Sequence, residues 1–156
     1  QAGIVLGRAD LIQKLKADPF YRALRPDKSA LLAMEFTVKA HRAGRAAELI
    51  PLYQLLAAST DNLRSRADAI VAHANSEGMT ATVVESQDTF GGGAAPGKTI
   101  SGWGVRIETP KPDDLVKRAR DFATPIIATV ADNGVVFSLR TMFADDDLFL
   151  KKFLTD

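Results

Sequence analysis

The sequence predicts an α+β fold in which helices cover a small antiparallel sheet. Two observations carry that expectation. The apolar period switches from helical to alternating at Met79, and Asp132-Asn133-Gly134 separates two short apolar runs in the manner of a tight hairpin. Together they give the order αββαββα from Ser59 onward, so the chain divides into residues 1–58, a strand with helices, and residues 59–156, a small α+β domain.

The first element expected is a short buried strand at Ala2-Gly3-Ile4-Val5-Leu6-Gly7, whose partners would lie in a sheet outside this stretch. Leu11, Ile12 and Leu15 then share one helical face, and Pro19 stops that helix, which would dock beside the strand. Asp27 is a good N-cap for the next helix. Leu31, Leu32, Met34, Phe36 and Val38 make it apolar all round, so it is expected to be buried or to cross an interface, with Gly44 as its stop. Pro51 interrupts a helical connection over 45–58. A long helix follows from Ser59 to Glu77, with caps at Ser59 to Asp61, a stripe of Leu63, Ala67, Ile70, Val71 and Ala74, and Gly78 as its C-terminal stop. Thr82–Ser86 and Trp103–Glu108 alternate as strands around a glycine loop, and Pro112–Phe122 is a helix. Ile126–Ala131 and Val135–Leu139 form the hairpin, and the tail from Asp145 is helical.

Composition narrows the function classes. With 156 residues, 46% hydrophobic and 25% charged, the chain can bury one core, and a net charge of +1 does not suit a dedicated nucleic-acid-binding domain. No apolar run approaches a membrane span and the first residues lack a signal-peptide layout, so a cytoplasmic protein is expected. With no cysteine and two histidines, disulfides and thiolate metal sites are excluded and zinc is not expected.

Arg22-Ala-Leu-Arg25-Pro-Asp-Lys28 sets two guanidiniums three residues apart just before a helix start, which reads either as an anion clamp or as a solvated pair. Gly92-x-x-x-x-Gly97-Lys98-Thr99 matches the P-loop pattern, but strand alternation follows it where a P-loop needs a helix. Lys28 sits in a first helical turn beside Asp27, which favours its charged form and argues against a Schiff-base role. His41 and His73 have no nucleophile or metal partner at useful spacing and read as solvated or core-edge residues. Asp145-Asp146-Asp147 reads as an acidic helix start, and Arg140 as an ion pair with one of those carboxylates.

The opening QAGIVLGRADLIQKLKADPFY, then RALRPDK, then GGGAAPGKTISGW, then VVFSLRTMFADDD resemble, in that order, the bacterial selenocysteine synthase family, the L-seryl-tRNA(Sec) selenium transferases. The resemblance runs from Gln1 to about Asp147. It implies the C-terminal part of a fold-type I pyridoxal-phosphate (aspartate aminotransferase-like) enzyme, with residues 1–58 trailing from the large cofactor domain. The Schiff-base lysine would lie upstream, so this stretch alone is expected to be inactive. It also implies that Arg22 and Arg25 hold the oxyanion of selenophosphate, that Gly91, Gly92 and Gly93 let backbone approach the active site, and that Arg140 binds a substrate or phosphate oxyanion. The implied partners are seryl-tRNA(Sec), selenophosphate and further copies of the chain. Pro26 stands where the family more often has an aliphatic residue, and Ala94-Ala95 where it has Ser-Leu. Three other readings stay open: a related ammonia-lyase on a small amino sugar or amino acid, a P-loop nucleotide module, and a noncatalytic assembly domain.

Overall fold

A computed structural model describes residues 3–90, 95–132 and 134–156. The chain divides into two compact units, residues 1–53 and 54–156.

In the first unit, α1 (Ala9–Ala17) ends where Asp18 accepts a hydrogen bond from the Phe20 amide at 2.8 Å, opening a 3₁₀ turn at Pro19–Arg22. Asp27 caps α2 (Lys28–Arg42) as expected, accepting from the Ala30 amide at 2.7 Å. Gly44 follows it at φ 69°, then α3 (Ala46–Leu49) and the start of α4 (Pro51–Ala57). Two apolar stretches stay uncovered in this unit. Residues 3–7 form no strand, and Ile4, Val5 and Leu6 are exposed, because no neighbouring strand is available to pair with their backbone. The apolar helix α2 buries only Ala40, while Leu31, Leu32 and Phe36 stay more than half exposed.

The second unit holds the core. The side chain of Ser59 caps α5 (Thr60–Ser76) through the Asn62 amide at 3.2 Å, and Gly78 at φ 84° lies just beyond its end. Leu63, Ala67, Ile70 and Ala74, four members of the expected stripe, are completely buried. The strands β1 (Ala81–Thr89), β2 (Thr99–Glu108), β3 (Thr129–Ala131) and β4 (Gly134–Ser138) form an antiparallel sheet in the order β1-β2-β4-β3. The helix α6 (Pro112–Asp121) lies between β2 and β3 in sequence, and α7 (Asp147–Thr155) ends the order αββαββα.

Register explains the layering. Val83 pairs with Val105 and Val105 with Phe137, while Ala81, Ile107 and Val135 form the adjacent row, so one face of the sheet is apolar. Those residues join Leu115, Val116 and Ala119 of α6 and Leu150, Phe153 and Leu154 of α7 in a single core. The opposite face carries Ser86, Asp88, Gly102, Gly104, Arg106, Val136 and Ser138.

Strand ends depart from the sequence reading for local reasons. The β1–β2 ladder runs out to Thr89 and Thr99, because backbone pairing continues through polar positions that carry no apolar signal. The run from Ile126 loses its first half to α6: the Ile126 amide donates to the Ala119 carbonyl at 2.8 Å, and β3 starts only at Thr129. In the hairpin turn Asp132 takes φ 43°, and Asn133 lies outside the described residues. A pairing invisible in the sequence starts β1. The Asn75 side chain accepts from the Ala81 amide at 2.8 Å and donates to its carbonyl at 3.2 Å, standing in for a strand neighbour.

Candidate functional site

The structure places Arg22 at the end of the 3₁₀ turn and Arg25 two residues before the N-cap of α2. Both are exposed, and among the described residues neither guanidinium makes an ion pair or hydrogen bond. Neighbouring arginines contrast with them: Arg8 forks onto Asp10 and Arg45 onto Glu48, and each of these pairs raises the guanidinium's pKa and lowers the carboxylate's through the shared hydrogen bonds. Two free forks ahead of a 15-residue helix suit an oxyanion, which the helix N-terminus also favours. Lys28, the first residue of α2, is exposed and no described lysine is buried, so none offers the desolvated amine that a Schiff base needs.

Arg140 behaves differently. It is 5% exposed, in a 3₁₀ turn directly after β4, and its Nη1 donates to the Ala58 carbonyl at 2.6 Å with longer contacts to Leu55 and Leu56 at 3.3 and 3.4 Å. Its Nη2 donates to the Ser101 carbonyl at 2.6 Å. The expected ion pair with Asp145–Asp147 is therefore corrected, and the terminal nitrogens expected to meet a ligand are committed to backbone. This staple also explains why residues 54–58 belong with the second unit, where the sequence placed the boundary after residue 58. The cation that reaches the acidic run is Arg66, which forks onto Asp147 at 2.7 and 2.8 Å and donates to the Met142 and Phe143 carbonyls at 3.1 Å. Asp147 opens α7 as an acidic first-turn residue without capping it by its side chain.

Lys98 lies in the β1–β2 hairpin, its amide donating to the Ala95 carbonyl at 3.1 Å, and Thr99 opens a strand. The helix that a P-loop requires is absent there, which removes the nucleotide-module reading. Gly91, Gly92 and Gly93 lie outside the described residues. His41 packs edge-on against Tyr53 at 5.2 Å, and Nε2 of His73 lies 3.2 Å from the Lys151 carbonyl oxygen, both structural contacts. The described residues contain no cluster of three or more carboxylate or imidazole groups able to hold a metal.

Residues 1–143, which include Arg22, Arg25 and Arg140, match the family model described as L-seryl-tRNA selenium transferase. The chain belongs to the L-seryl-tRNA selenium transferase family. Among its relatives is the L-seryl-tRNA(Sec) selenium transferase of Clostridium perfringens (strain 13 / Type A), 32% identical over 153 residues, covering 94% of this chain and 33% of the relative. The enzyme of the same name from Caldanaerobacter subterraneus is 32% identical over 154 residues, 94% of this chain and 32% of the relative. The Aquifex aeolicus relative is 31% identical over 159 residues, 100% of this chain and 35% of its own length. The chain thus spans about a third of the length of the curated relatives it matches.

The sequence reading missed Arg66–Asp147 and a Ser86–Asp88–Ser138 cluster on the sheet, because partners 81 and 50 residues apart leave no local spacing signal.

Proposed function

We propose that this chain is the C-terminal portion of a pyridoxal-phosphate-dependent L-seryl-tRNA(Sec) selenium transferase of fold type I, which converts seryl-tRNA to selenocysteinyl-tRNA with selenophosphate. The observation that carries the proposal is the coincidence of the family match over residues 1–143 with two exposed, unpaired guanidiniums at the entrance to α2. The cofactor supplies an electron sink for exchange at the serine β-carbon. None of the described lysines is buried, so they do not suit its attachment.

What these residues contribute is donor binding. Arg22 and Arg25 present planar forks to the oxyanion of selenophosphate and hold its charge beside the positive end of α2. Gly91, Gly92 and Gly93 let backbone come close to the reacting groups in this reading, and Arg140 holds the frame by fixing the segment after α4. Residues 1–58 trail from the large cofactor domain, and the enzyme works as a cytoplasmic homo-oligomer. No described helix is long and apolar enough to cross a membrane.

The test is donor affinity in a full-length enzyme containing this segment. Arg22→Ala and Arg25→Ala should each weaken binding of selenophosphate, or of thiophosphate as its sulfur analogue, by about ten- to a hundredfold, equivalent to roughly 1.5–3 kcal/mol for a charge-assisted contact. Lys replacements should recover only part of the loss, because the ammonium lacks the fork. Wild-type affinity with an unchanged melting temperature in both alanine variants would refute the clamp.

A further inference from the structure

All three helices that build the core of the second unit pack on one face of the sheet; the other face holds a cleft of about 610 Å³. Asp88, Ser86 and Ser138 stand together in it. The Ser86 hydroxyl donates to one oxygen of Asp88 at 2.7 Å, and the Ser138 hydroxyl donates to the other at 2.7 Å. The second of these bonds joins β1 to β4 across the intervening β2, and it depends on the bare backbone at Gly102. A Cβ there would stand 2.8 Å from the Ser86 hydroxyl oxygen and 3.0 Å from Asp88.

The chemistry left over is one-sided. A serine has a single hydroxyl proton, and both serines spend theirs on Asp88, so outwardly each offers only lone pairs. Thr141, also in the cleft, spends its proton on the Ser138 carbonyl at 2.9 Å. A carboxylate has about four lone-pair positions, and two of those on Asp88 are used by the serines. Neither nearby cation compensates it: Arg106 donates to the Asp132 carbonyl, and the terminal nitrogens of Arg140 go to backbone. Asp88 forms no salt bridge among the described residues. A half-buried carboxylate ringed by spent hydroxyls calls for a cationic donor.

We propose that this uncovered sheet face docks a protein segment through a lysine side chain, its ammonium seated on Ser86, Asp88 and Ser138. An ammonium carries three donors that rotate freely, matching acceptor oxygens on three separate residues. A guanidinium's planar fork needs two carboxylate oxygens side by side, and here each of those is already turned to a different serine. Val84, Ala131 and Val136 line the same cleft and give an aliphatic stem a surface to lie on, which an inorganic cation would not use. Two carboxylates of this lining, Asp88 and Asp132, stand against one cation, Arg106, which favours the same occupant. The inference does not depend on the selenium-transfer reading.

The experiment uses the whole 156-residue chain. Its backbone amide resonances are followed while Nα-acetyl-lysine N-methylamide is added at constant ionic strength, with the norleucine and arginine analogues, putrescine and potassium chloride as parallel arms. The lysine analogue should give saturable shifts at Ser86, Asp88, Val136 and Ser138, at least tenfold tighter than any other arm. Asp88→Asn should weaken it at least tenfold. If that variant does not fold, Ser86→Ala and Ser138→Ala keep the carboxylate and each remove one acceptor, and each should weaken binding severalfold. Equal shifts with norleucine would reveal an apolar groove only, and equal shifts with potassium an inorganic site. Putrescine or the arginine analogue binding as tightly would remove the stem or the three-donor match, and no saturable shift with any probe would leave an ordinary solvated face. Each of these four results overturns the proposal.

Discussion

Replacing Arg140 should unfold the second unit more readily than any loss of a surface charge could, because its guanidinium bridges two otherwise separate pieces of backbone. Its two shortest contacts, to the Ala58 and Ser101 carbonyls, are both 2.6 Å, and the residue is 5% exposed. Hydrogen bonds to a charged donor contribute about 1.5–3 kcal/mol each, so the pair is worth roughly 3–6 kcal/mol before correction. Relief of the cost of burying the charge returns part of that, leaving a net loss of about 2–4 kcal/mol in Arg140→Met, which keeps most of the volume. With a urea dependence of roughly 1–3 kcal/mol per molar, the unfolding midpoint should fall by about 1–2 M. The single tryptophan, Trp103, reports the transition, since it packs against the core beneath the Arg64 guanidinium, 4.2 Å from the ring centre. Arg140→Lys should fall between the two, because one ammonium cannot span both carbonyls. An unfolding free energy for Arg140→Met within about 0.5 kcal/mol of wild type would refute the staple and return Arg140 to the ligand-binding role that the family resemblance implied.

Arg66→Met and Asp147→Asn should each cost about 2–4 kcal/mol in urea unfolding, and the double variant clearly less than the sum, because each single change strands a largely buried charge; strict additivity would show that the pair is not coupled. Gly102→Ala should destabilise by roughly 1–3 kcal/mol in a thermal melt, since its methyl group meets Ser86, Asp88 and the Cβ of Arg140 at 2.8–3.2 Å, and an unchanged melting temperature would show that the cluster gives way freely. Calorimetry with ATP should give no saturable heat for wild type or for Lys98→Ala; micromolar binding lost on that substitution would restore the P-loop reading that the hairpin removes.

Periodicity and caps were enough to read most of the second unit. Ser59, Gly78 and the stripe at Leu63, Ala67, Ile70 and Ala74 identify α5 almost to the residue, because helix signals lie within one turn of the backbone groups they satisfy. Residues 3–7 show the limit of such signals: an apolar run states that burial is needed, and the partner that would provide it lies outside the run. Ile126 shows the same limit in reverse, being apolar and buried as expected while its amide goes to α6 and not to a strand.

The sequence by itself determined the order of elements in the second unit, the family, and the position of two arginines just ahead of α2, all of which rest on neighbours within a few residues or on motifs in a line. Only the tertiary structure decided what the buried polar groups do. Arg140 found carbonyls 39 and 82 residues away, Arg66 found Asp147, and Asp88 gathered two serines across a glycine gap. Most buried donors and acceptors are satisfied by whatever the packing brings within about 3 Å, and chain spacing carries no record of which group that will be.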